Sequence, residues 1–67
     1  MKVNVVLKEC NGETNLDWIM EKVKDIFFYD DYVEVEFYHD EEMKEKDITV
    51  INRIPKKEIQ NIKIWNL

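Results

Sequence analysis

Few side chains in this sequence are able to do chemistry, and most lack the neighbours that chemistry needs. There is no serine, so a serine nucleophile is excluded outright. The one thiol is Cys10 and the one imidazole is His39. A cysteine nucleophile needs a base and an oxyanion-stabilising group beside it. Cys10 sits before Asn11-Gly12 with no such set around it, and it reads as a small residue beside a turn. His39, Asp40, Glu41 and Glu42 suggest a metal cluster, but neighbours at a strand end point in alternate directions and rarely converge on one ion. Laid against a calcium loop, residues 30–41 place Tyr32 at the third position and Val35 at the sixth, where glycine is required. Gly12 alone cannot build a glycine-rich phosphate loop. The expectation is a chain with no catalytic residues, no metal and no cofactor.

What remains is charge. Residues 30–47 carry nine acids against Lys44 and Lys46, whereas residues 1–29 are nearly balanced and residues 53–67 carry four cations against Glu58. The acidic middle would repel nucleic-acid phosphates and attract a basic protein surface. On a strand, Glu34 and Glu36 share a face about 6.7 Å apart. Together with Tyr38, Asp40, Glu41 and Glu42 they form the candidate partner-binding surface. The alternative is that alternating glutamates only solvate a sheet and discourage edge aggregation. Trp65 has a similar ambiguity, since tryptophan is enriched at interface anchors. In a chain with so little core material, sealing the core is the expected role for Trp65 and also for Trp18.

The elements that must position these residues are strands. Residues 2–10 alternate, with Val3, Val5 and Leu7 on one face, and Asn11-Gly12 supplies a hairpin turn that tolerates positive φ. Pairing across it sets Leu7 opposite Leu16, Val5 opposite Trp18 and Val3 opposite Met20. A second hairpin turns at Asp30-Asp31, aligning Phe28 with Val33, Ile26 with Val35, Phe27 with Glu34 and Asp25 with Glu36. Residues 40–47 read as a charged loop and residues 48–53 as a β-branched strand. Ile54-Pro55 should end that strand, Pro55 should start a helical turn over residues 56–61, and residues 62–65 should close the chain as a last strand. The expected fold is all-β, a small antiparallel meander or SH3-like barrel of five to six strands with one short helical turn. The competing reading is α+β, with a helix over residues 16–28 carried by Leu16, Ile19, Met20, Val23 and Phe27 at helical spacing. A short helical turn near residues 20–23 would satisfy both patterns.

Sixty-seven residues make one domain, close to the size at which a core holds a fold unaided. A single cysteine excludes an internal disulfide, so packing, a homodimer or a partner must make up the difference. No stretch is long and apolar enough for a signal peptide or a membrane span, and a lone thiol suits the reducing cytoplasm. Nine lysines to one arginine, with eight isoleucines and six asparagines, is the bias of an AT-rich genome. The layout NGE, then VKDIFFYDDYVEVEFY, then RIPKKEIQNIKI, resembles short β-rich accessory proteins of phages and prophages of low-GC Gram-positive bacteria. The Ile54-Pro55 turn before a last strand is similar to the end of an SH3-like barrel, although the acidic-aromatic loop of true SH3 domains is absent. Size, charge and resemblance imply a non-catalytic protein-binding module. It would be a phage-encoded inhibitor or adapter that uses its acidic surface on a basic host protein. The competing expectations are a structural homo-oligomer joined through edge strands and a small-molecule binder at an oligomer interface.

Overall fold

In the computed structural model the described residues are 1–8 and 17–66. They form β1 (Lys2–Leu7), β2 (Asp17–Met20), β3 (Val23–Phe28), β4 (Tyr32–Phe37), α1 (Glu41–Glu45), β5 (Val50–Pro55), a 3-10 turn (Lys56–Glu58) and β6 (Ile59–Trp65). The strands make two antiparallel three-stranded sheets, ordered β2-β1-β6 and β3-β4-β5. This is the all-β, six-stranded arrangement that the alternation of the sequence predicts.

Both expected registers are present. Val3 pairs with Met20 and Val5 with Trp18. Across the second hairpin Ile26 pairs with Val35, Phe28 with Val33, Phe27 with Glu34 and Asp25 with Glu36. The Asn11-Gly12 turn, Cys10 and the Leu7–Leu16 pair fall outside the described residues. No helix spans residues 17–28, because β2 and β3 are strands separated by a bend at Glu21 and Lys22, and no helical turn forms at 20–23. The bend carries the chain from one sheet to the other: Val23 N–H donates to Met1 O, and Tyr38 N–H to Lys22 O.

The core lies between the sheets and consists of Val3, Val5, Met20, Val23, Val33, Val35 and Ile54, with Met1, Leu7, Ile26, Phe37, Ile59 and Ile62 packed around it. Its four most deeply buried side chains are all valines. They are the inward half of each strand's alternation, and β-branched side chains fit a pleated surface well. Trp18 keeps the expected face but not the expected burial: it is 38% exposed. It sits on β2, an outer strand of its sheet, where a side chain is covered from one side only. Trp65, on the outer strand β6, is likewise 41% exposed, with Lys2 Nζ 5.3 Å from its ring centroid. Neither tryptophan seals the core.

The chain after β4 also departs from expectation. Residues 40–47 are not a loop, because Glu41–Glu45 form α1. The following strand runs from Val50 through Pro55 rather than over residues 48–53. Pro55 pairs with Tyr32 at its end and does not break it. The helical turn is shorter than expected, so β6 begins at Ile59.

Candidate functional site

The six acidic and aromatic residues singled out in the sequence lie on β4 and in the segment after it, and each is held by a partner within the chain. Strand pairing brings β5 alongside β4, so that Glu34 faces Arg53 and Glu36 faces Ile51. Arg53 Nε donates to Glu34 Oε1 at 2.8 Å, and the Glu34 side chain is only 13% exposed. Glu36 Oε2 accepts from Thr49 Oγ1 at 2.8 Å. The expectation that Glu34 and Glu36 project freely into solvent is therefore corrected. Their partners lie nineteen and thirteen residues away in sequence, respectively, and only the sheet brings them close.

Asp40 caps α1 by accepting from Met43 N–H at 2.8 Å, which satisfies one of the amides a helix start leaves unpaired. Glu41 lies 3.8 Å from Lys22, and Glu42 accepts from Lys46 one turn later at 3.0 Å. His39 Nδ1 lies 3.8 Å from Asp40. No group of three metal-ligating side chains comes together among the described residues.

Tyr38 leads to a residue that sequence reasoning passed over. Its hydroxyl donates to Asp47 Oδ1 at 2.6 Å, and Lys24 Nζ donates to the same oxygen at 3.2 Å. Asp47 has φ of 54°, in the left-handed region. It follows the α1 C-cap, and the turn closes through Asp47 N–H to Lys44 O and Ile48 N–H to Met43 O. That pair of bonds is a Schellman motif, whose left-handed position usually holds glycine or asparagine. Aspartate tolerates this conformation, and its carboxylate ties the end of α1 to β3 and to the residue just after β4. The hydrogen bond from Tyr38 and the nearby Lys24 ammonium hold the Asp47 carboxyl below its ordinary value. The same contacts raise the Tyr38 hydroxyl and the Lys24 ammonium. Asp47 therefore serves as an anchor.

The aromatic residues beside the second hairpin are more available. Strand alternation puts Phe27 and Tyr32 on the outer face of β3-β4-β5, where Tyr29 stacks on Tyr32 at 4.8 Å and stands 6.4 Å from Phe27. The Arg53 guanidinium lies 6.0 Å from the Tyr32 ring centroid, and its bond to Glu34 raises its pKa. Phe27 and Tyr29 are exposed. Beside this aromatic run an open groove of about 600 Å³ is lined by Asp30, Asp31, Tyr32, Pro55, Lys56 and Lys57. A groove of similar volume runs past Trp18, Met20, Phe37, Tyr38 and His39. The alternation of the sequence contained the signal for the aromatic run, since Phe27 shares a face with Glu34.

Comparison with protein-family models, curated proteins and solved structures gives no match to this chain. No helix among the described residues is long and apolar enough to cross a membrane.

Proposed function

We propose that this protein is a non-catalytic protein-binding module whose docking face is the outer surface of the β3-β4-β5 sheet, centred on Phe27, Tyr29 and Tyr32. The observation that supports this most is the contiguous run of three aromatic rings held against one another, with Phe27 and Tyr29 exposed and Tyr32 half-buried beneath Tyr29. Preordered aromatic side chains supply contact area at small entropic cost and dominate interface energetics. The carboxylates of Asp30 and Asp31 border the run and would meet a basic partner group, while Lys56 and Lys57 across the same groove would meet an acidic one. This reading moves the contact from the Glu34–Glu36 row to its aromatic neighbours, because that row is already engaged by Arg53 and Thr49. The role of inhibitor or adapter, and a phage origin, rest on the resemblance and composition of the sequence alone.

The test is affinity capture from a bacterial lysate with the wild-type chain, followed by titration of whatever is retained. The double variant Tyr29→Ala/Tyr32→Ala should weaken the interaction by at least about ten-fold, the loss expected for an aromatic anchor. Lys63→Ala, on the other sheet, should leave it unchanged. Equal affinity for wild type and the tyrosine variant would overturn the assignment of this face.

A further inference from the structure

The two outer strands of the β3-β4-β5 sheet are finished differently, and the difference concerns which backbone groups remain unpaired. The hairpin closes with Tyr29 N–H donating to Tyr32 O. From there the antiparallel ladder alternates, so even-numbered residues of β4 bond toward β3 and odd-numbered ones toward β5. Two other bonds obey the same parity: Tyr38 N–H reaches Lys22 O on the β3 side, and Lys56 N–H reaches Asp31 O on the β5 side. On β5, Val50, Asn52 and Ile54 therefore bond to β4. Ile51 and Arg53 direct N–H and C=O away from the sheet. Pro55, which has no N–H to offer, occupies an outward position, as proline in a strand must.

On the β3 side the outward N–H of Ile26 is taken up by Asp25 Oδ1 at 2.8 Å, and a bulge at Lys24 interrupts the ladder. No side chain among the described residues does the same for Ile51 or Arg53. The open edge is also apolar, for Ile48, Val50 and Ile51 are all exposed, Ile51 by 51%. Native sheets normally blunt such an edge with charge, bulges or proline, and here only the Arg53–Pro55 end is so protected.

Charge decides what fits. The segment entering β5, residues 40–47, carries five acids and two lysines, whereas Arg53, Lys56 and Lys57 cluster at its far end. Glu45, Lys56 and Lys57 enter no ion pair among the described residues. An antiparallel strand with the same gradient would set its basic end beside this acidic one, and the reverse. A second copy of β5 has that gradient, and antiparallel pairing of like strands is what a two-fold axis produces. We infer that the chain forms a two-fold dimer through the β5 edge, with Ile51 opposite Ile51 of the second copy. That register pairs Thr49 with Arg53, excludes the donorless Pro55 from the ladder and joins the two sheets into one of six strands. It leaves the Phe27–Tyr29–Tyr32 face open, so the dimer would present two copies of the proposed docking surface.

Sedimentation equilibrium of the full chain, up to about 1 mM because contacts of this size are commonly weak, tests the inference. The wild type should show a monomer–dimer equilibrium. Ile51→Lys, at a solvent-facing position, should be monomeric at every concentration while keeping the wild-type circular dichroism spectrum. Ile51→Pro removes the outward N–H without touching a β4–β5 hydrogen bond and should also weaken the dimer, by at least about ten-fold. Glu45→Lys and Lys57→Glu should each weaken association, and the two together should restore it. A wild type that remains monomeric throughout, or an Ile51→Lys chain that dimerises like the wild type, would overturn the proposal. Loss of partner binding in the tyrosine variant, measured separately, bears on the docking face and not on this edge.

Discussion

Replacing Val35 by alanine is the sharpest test of how the β4 strand is held in place. Val35 is fully buried on the central strand, between Ile26 and Asn52 in register, with Glu34 and Glu36 on the opposite face of the same strand. The substitution removes two carbons worth about 0.8 kcal/mol each in transfer from water and adds a cavity term, for roughly 2–3 kcal/mol. A domain of this size holds about 0.05–0.15 kcal/mol per residue, or roughly 3–10 kcal/mol in total. Each kcal/mol lost is worth about 4–8 °C, so the melting temperature should fall by roughly 10–20 °C. Thermal denaturation followed by circular dichroism reads this directly. Val35→Ile should also destabilise, by about 1–3 kcal/mol, because a packed core resists an added methylene. A fall of less than about 4 °C for Val35→Ala would mean that the two sheets do not close on this residue, and the account of the core would fail.

Two further outcomes follow from the ion pairs. Glu34→Lys, which sets a cation against Arg53, should lower the melting temperature, and adding Arg53→Glu should recover part of the loss; an unaffected single variant would show that the pair does not hold β5 to β4. Because the folded-state Asp47 carboxyl lies below its ordinary value of 3.8, its contribution is present above that pH and is lost as pH falls through the lower folded value. Tyr38 and Lys24 shift the other way, so their contributions are present at neutral pH and lost as alkaline pH passes their raised values. Asp47→Asn should therefore flatten the acid limb of stability against pH and let the Tyr38 hydroxyl ionise earlier in an ultraviolet titration. A Tyr38 titration identical in the two proteins would contradict the 2.6 Å bond.

The registers of both strand pairs were legible in the sequence because period-two alternation constrains register tightly. A slip of one residue would have turned the core valines Val3, Val5, Val33 and Val35 outward. The burial of individual residues was less legible. Val5 and Trp18 share a face, yet alternation says nothing about whether a residue lies at the centre of a sheet or at its margin. Helix α1 was missed because it has no apolar stripe and buries nothing. Its signals were Asp40 three residues before the amide it caps and the Glu42–Lys46 spacing, both obscured by the density of charge around them. The acidic row was found but its environment was not, since Arg53 and Thr49 become its neighbours only once β5 is laid beside β4.

The bulge at Lys24 limits how far this sheet can grow. A sheet with two open sides can add strands without end and propagate into a filament. Here one side is bent by an extra residue and has its Ile26 N–H taken up by the Asp25 carboxylate, so a sheet extended at β5 would end on a β3 strand at both margins. In the proposed dimer, assembly along this direction would stop at two chains. The same local irregularity would set β3 against fibre growth while β5 keeps an apolar, open strand.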